Sequence, residues 1–124
     1  MSSLASLLES VRQFRDQRNW QQFHSLRNLI VSLNLEAAEL LELTQWKGDA
    51  EIAALPDDPV GAENLRDECA DVLLYLLLIA DAADIDLLAA AEAKLAKNAR
   101  KYPVDRAWGS SAKYTTLNRS ADPD

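Results

Sequence analysis

Leu35-Glu-Ala-Ala-Glu-Leu-Leu-Glu-Leu-Thr-Gln-Trp46 is the stretch on which the fold turns. Leu and Ala fill it and no Gly or Pro interrupts it, so it reads as helix. Glu36 and Glu39 stand three residues apart, close to one helical turn, which sends both carboxylates to the same side. The pattern occurs a second time. Glu68 and Asp71, in Asp67-Glu68-Cys69-Ala70-Asp71, have the same spacing just ahead of the most hydrophobic segment of the chain. One acidic pair is commonplace on a solvated helix face. Two pairs in strongly apolar helices are costly unless something positive lies between them.

Working outward, the first pair belongs to a long helix from Ser25 or Leu26 to Trp46. Leu26, Leu29, Ile30, Leu33, Ala37, Leu40, Leu41 and Thr44 form its apolar stripe, and Leu35 adds apolar surface on the far side. The second pair opens a helix from Ala62 to Ala83. Glu63, Asp67 and Glu68 suit the positive end of its dipole, an ordinary structural use that weakens for Asp71, further in. Glu68, Asp71 and Tyr75 fall along one stripe. Val72 to Ala80 is apolar all round and needs cover on every side, which points to a homo-oligomer interface. Between the two helices, Lys47 to Gly61 holds Gly48, Pro56, Pro59 and Gly61 and reads as a surface loop, long enough for antiparallel packing.

Upstream, Ser3 to Gln17 reads as a helix with Leu4, Leu7, Leu8, Val11 and Phe14 on one face and a capping box from Ser6 to Glu9. Arg15 to Asn19 is a polar break. Trp20 and Phe23 follow it and lead to His24, the single histidine; aromatics in so short a connection often only fill a gap over the core. Downstream, Asp84-Ile85-Asp86 closes the third helix and caps a fourth from Leu87 to Tyr102. Lys94, Lys97, Arg100 and Lys101 gather at its C-terminal half, where they complement the dipole, and Pro103 stops it. The expected architecture is all-α, a four-helix bundle-like protomer occupying 1–117, with a polar tail over 118–124.

Composition agrees. At 124 residues, with 48% hydrophobic and 27% charged, the chain fits one globular domain, and three Gly and four Pro favour helices. A net charge of −7 argues against binding a nucleic acid polymer. It leaves room for a small phosphorylated ligand bridged to the acids by a divalent cation. Cys69 has no partner for a disulfide, and CxxC zinc spacing is absent. The longest uncharged apolar run, Val72 to Ala80, falls short of the roughly 20 residues a membrane span requires. A cytoplasmic protein without a membrane partner is expected.

Oxygen-only ligands select Mg²⁺, Mn²⁺ or Ca²⁺ over zinc or copper. The single histidine lies outside both pairs, which disfavours a di-iron centre. Mg²⁺ readily shares its shell with substrate phosphates, and a carboxylate not taken up by the metal can orient or deprotonate a water. Attack on a phosphoanhydride suits this set best, and no Gly-rich phosphate loop is present.

The two acidic pairs resemble the signature of the MazG-like all-α nucleoside triphosphate pyrophosphohydrolases. Trp20-x-x-Phe23-His24-x-x-Arg27-Asn28-Leu29, Glu39 to Trp46, Asp71-Val72-Leu73-x-Tyr75-Leu76, Lys94-x-x-x-Asn98 with Lys101-Tyr102-Pro103, and Ser110-Ser111-x-Lys113-Tyr114-Thr115 are similar to the dCTP pyrophosphatase branch. The likeness extends from about Arg18 to Leu117. It implies hydrolysis of a (deoxy)nucleoside triphosphate, dCTP or a modified dCTP, to monophosphate and pyrophosphate. Glu36, Glu39, Glu68 and Asp71 would hold Mg²⁺, with Mn²⁺ as substitute, and one of Glu36, Glu39 and Glu68 would act as base. Trp20 and Trp46 would enclose the nucleobase with His24 nearby, while Tyr75, Lys94, Asn98 and Tyr102 would contact the nucleotide. The family implies dimers or tetramers. Two other readings compete: a non-catalytic helical oligomerisation module with solvated acids, and a nucleotide-binding sensor.

Overall fold

The computed structural model describes residues 2–119 and is helical throughout, with no strand among them. The chain divides into two compact units, Met1–Ile85 and Asp86–Asp124.

The first unit opens with α1 (Leu4–Gln17). Its capping box sits one turn earlier than the Ser6–Glu9 pair expected from sequence. Ser3 is the extended residue, its Oγ accepts from the Ser6 amide at 3.1 Å, and its own amide donates to Ser6 Oγ at 2.8 Å. Glu9, already a full turn inside the helix, faces Arg12 instead at 3.4 Å. Next comes α2 (Leu26–Glu42), begun by Ser25, whose hydroxyl accepts from the Asn28 amide.

α2 stops four residues before the expected Trp46. The Thr44 hydroxyl donates to the Leu41 carbonyl at 2.7 Å, supplying an alternative to the helical ladder. The chain then turns, with Trp46 at φ +62°, where a bulky side chain is uncommon. The expected surface loop also proves more ordered than its Gly and Pro content suggested. Gly48 caps a short α3 (Asp49–Ala53), and Leu55–Asp57 form a 3₁₀ turn.

The long α4 (Pro59–Ala82) begins three residues before the expected Ala62. Pro59 had the weight of a breaker in the sequence, but its fixed φ and missing N–H suit the first helical position. Asp58 caps it by accepting from the Gly61 amide at 2.8 Å. Gly61 is buried, and a Cβ there would lie 2.8 Å from Leu55 Cδ2 and 3.0 Å from the Leu55 carbonyl oxygen. The missing side chain lets the 3₁₀ turn rest directly on the helix.

α2 and α4 form the main pairing, and α1 packs on α4. Glu36 and Glu39 meet Glu68, whereas Leu40 and Leu41, further along α2, share a cavity with Leu65, earlier in α4, so the two helices run antiparallel. Among the described residues, Leu29, Leu77, Leu78 and Ala80 are the buried apolar ones. Asp81, near the end of α4, receives both arginines of α1: Arg12 through Nε at 3.0 Å and through Nη2, and Arg15 through Nη1 at 3.5 Å. The bond from Arg12 is the main reason the Asp81 carboxyl lies below its ordinary pKa, and the same bond raises that of Arg12.

The second unit carries α5 (Leu87–Lys101), capped by Asp86 through the Ala89 amide at 3.0 Å. Beyond Pro103 the sequence marked no further helix. Instead it forms α6 (Val104–Ala107) and α7 (Tyr114–Arg119), separated by a turn with Gly109 at φ +66°. Lys101 lies 4.8 Å from the Tyr114 ring centre, and Tyr102 meets that ring edge-on at 6.0 Å. Of the expected 118–124 tail, Asn118 and Arg119 are helical, and 120–124 lie outside the described residues. No helix among the described residues is long and apolar enough to cross a membrane.

Candidate functional site

α2 and α4 bring the two acidic stretches together. One carboxylate oxygen from each of Glu36, Glu39 and Glu68 lies within 4.8 Å of the other two. Three like charges at that spacing repel strongly once water is restricted. Burial, then a hydrogen bond with Glu39 and its charge, and then the charges of Asp71 and Glu68 push the Glu36 carboxyl up to about 7. Glu68 is raised as well, by burial first and by the charge of Glu39 next. Glu36 Oε2 and Glu68 Oε2 are buried and accept no hydrogen bond among the described residues. Buried acceptors without donors are rare and demand a partner. Two such oxygens beside a third carboxylate, with no nitrogen or sulfur in the set, fit a hard divalent cation such as Mg²⁺ or Mn²⁺.

Asp71 stands next to this group and not within it. Its charge acts on Glu36 and Glu68, one turn away along α4, while its side chain lines a neighbouring cavity of about 380 Å³. Trp20, His24, Tyr75 and Leu74 share that cavity with Val11, Phe14 and Arg15 from α1. Helical spacing accounts for the alignment: Glu68, Asp71 and Tyr75 follow one another on the inner stripe of α4. Trp20 is fixed by the turn after α1, where its amide donates to the Arg15 carbonyl at 3.0 Å, and its ring meets Phe14 edge-on at 5.7 Å. His24 has a buried Nδ1 without a partner among the described residues. Burial, and then the charge of Arg15, hold its pKa below the ordinary value, so the ring is neutral near pH 7.

Trp46 is not brought into this cavity. It is 97% exposed, because the helix expected to reach Trp46 ends at Glu42 and a turn intervenes. Lys94, Asn98 and Tyr102 lie in the second unit, the first two on α5 and Tyr102 at its C-terminal cap. The α1 wall of the cavity was missed in the sequence. Its signal was there in Arg15, a charged residue seven positions after Leu8 and so on the apolar stripe of the helix, where a cation needs a reason.

Comparison with known proteins places the chain among relatives of known family and fold. The sequence model of the MazG-like family matches residues 31–117. The chain is 41% identical over 116 residues to dCTP pyrophosphatase 1 of Rattus norvegicus, spanning 90% of this chain and 68% of that protein. It is likewise 41% identical over 118 residues to dCTP pyrophosphatase 1 of Homo sapiens, spanning 92% and 69%. The crystal structure of a pyrophosphatase from Archaeoglobus fulgidus superposes with a TM-score of 0.75 at 40% identity, covering 83% of this chain and 94% of that one.

Proposed function

Since the chain belongs to the MazG-like family, we propose that it is a nucleoside triphosphate pyrophosphohydrolase whose preferred substrate is dCTP or a modified dCTP, and whose cofactor is Mg²⁺. One observation carries the reading: two buried, partnerless glutamate oxygens converge with a third carboxylate beside an aromatic cavity. Glu36, Glu39 and Glu68 would hold the cation, with Asp71 at the boundary between acids and cavity. Bound there, Mg²⁺ or Mn²⁺ in its stead would draw the triphosphate oxygens to the cluster and offset their charge. Trp20 and Tyr75 offer ring faces to the nucleobase, and stacking orients the α-phosphorus against the acids. A glutamate carboxylate oxygen of the cluster takes the proton of the attacking water. The new bond joins water oxygen to the α-phosphorus, the α–β anhydride bond breaks, and monophosphate and pyrophosphate leave. Roles for Trp46, Lys94, Asn98 and Tyr102 follow from the family resemblance alone.

We also infer a homo-oligomer. Ile30, Val31, Leu35 and Leu41 are exposed on α2 although four apolar residues on one helix favour burial.

The deciding experiment incubates the protein with each dNTP and NTP, with Mg²⁺ or with chelator, and measures pyrophosphate and monophosphate. Metal-dependent release of both products, highest from dCTP, is expected. Metal-dependent nucleotide binding without release would favour the sensor reading, and neither would leave a structural helical module.

A further inference from the structure

We propose that Arg15 determines base specificity in the proposed pyrophosphohydrolase site, presenting N–H donors to the O2 and N3 acceptors of cytosine. The inference rests on the functional reading above for the identity of the cavity. Among the described residues that line it, Arg15 is the one cation, since His24 is neutral near pH 7. Its side chain is only 11% exposed. A guanidinium that is largely buried loses water at every N–H and is kept there only where each donor has a use.

Two donors have one. Nε bonds Asp16 Oδ1 at 2.9 Å and Nη1 faces Asp81 Oδ2 at 3.5 Å. A guanidinium has five N–H donors in a rigid plane, and these bonds take two, which leaves one N–H on Nη1 and two on Nη2 of a residue that lines the cavity. Anchoring by two carboxylates from separate helices fixes the plane before any ligand arrives, which lowers the entropy cost of recognition.

The chemistry of the pyrimidine edge then discriminates. Cytosine offers two adjacent acceptors, O2 and N3, which a planar guanidinium can meet with parallel N–H bonds. Uracil and thymine carry a hydrogen on N3, so the same donor would face another donor and both would lose their water unpaired. Trp20 and Tyr75 supply ring faces that accept any base, so stacking alone gives no such selection.

The test measures kcat/KM for dCTP and dUTP with Mg²⁺ on wild type, Arg15→Gln, Arg15→Lys and Arg12→Gln. Calorimetric binding of dCMP and dUMP to the same proteins needs no turnover. Wild type is expected to favour the cytosine nucleotide in both assays. Arg15→Gln should cut that preference at least about tenfold, mainly through KM. Arg15→Lys keeps a cation beside Asp16 and Asp81 but loses the planar fork, so it should also lose preference while still folding. Arg12→Gln removes the other arginine on Asp81 and should leave the ratio unchanged. A wild type that ignores the base, an unchanged ratio in both Arg15 variants, or an equal loss on both nucleotides would overturn the role of Arg15. Absence of turnover with retained dCMP selectivity would instead defeat the hydrolase reading and leave Arg15 as the base reader.

Discussion

Glu36 is the residue on which the acidic cluster most visibly leaves its mark, because its carboxyl is raised from an ordinary 4.5 to about 7. A carboxyl that binds its proton more tightly folded than unfolded stabilises the fold fully below its ordinary pKa and loses that contribution as pH rises through the folded value. Metal-free protein should therefore lose stability between about pH 4.5 and 7 from Glu36, with Glu68 acting in the same direction. Asp81 acts oppositely and lower: its depressed pKa contributes stability above 3.8 that is lost on further acidification. A divalent cation competes with protons for the same oxygens. The rise in unfolding temperature produced by Mg²⁺ should be larger at pH 8 than at pH 5.5, and an equal rise at both would remove the cluster as its binding place. Glu68→Gln should lower turnover by about a hundredfold or more while circular dichroism keeps its helical form. Trp20→Ala should raise KM for dCTP about tenfold through lost stacking; an unchanged KM would take the base away from that ring. The convergence of these acids was legible from spacing and residue type, whereas the part given to Trp20 came from the family resemblance. Arg15 was harder to read: its place on the apolar stripe of α1 was a signal, but the carboxylate that receives it, Asp81, lies 66 residues away.

Among the elements, α1 depends on α4 through two kinds of contact, apolar packing near Val11 and Leu78 and the arginines on Asp81. Asp81→Ala should destabilise the first unit by about 1 to 2 kcal/mol, since charged hydrogen bonds are lost but solvent partly screens them. Chemical denaturation of wild type and variant at neutral pH measures it, and an unchanged midpoint would make these bonds ornamental to stability. At the other end of α4, Gly61→Ala gains helix propensity yet presses a methyl on the Leu55 carbonyl, which cannot swing aside as Cδ2 can. A net loss of about 1 kcal/mol is expected. The four long helices could be read from periodicity, whereas the short α3, α6 and α7 and several boundaries could not. Thr44 ends α2 through a side-chain bond to Leu41, and Pro59 starts a helix in a segment whose Gly and Pro content spoke for a loop. Both outcomes depend on backbone geometry that residue type alone leaves open.

Across the whole molecule, the buried apolar core is small for so hydrophobic a chain. Leu35 and Leu41 remain 61% and 67% exposed on a helix whose other face packs on α4. In the proposed homo-oligomer, unfolding is linked to association, and the unfolding midpoint should rise with protein concentration. Sedimentation at matched concentrations supplies the mass. A monomer with a concentration-independent midpoint would contradict the oligomer. Periodicity anticipated this surplus because α2 is apolar on more than one face and Val72 to Ala80 all round.

The single length of α4 has one more consequence. Glu68 among the acids, Tyr75 in the cavity and Asp81 on the arginines all belong to this one uninterrupted helix. At about 1.5 Å and 100° per residue, Glu68 and Tyr75 are held about 10 Å apart along the axis, two turns that nearly restore the same heading. The helix is therefore a ruler between charge and ring. Its side chains can be exchanged one at a time, but one residue inserted between Asp71 and Tyr75 would swing everything after it through more than a quarter turn. Changes of chain length should be tolerated in the segment from Gln45 to Asp57 and fatal to activity inside α4.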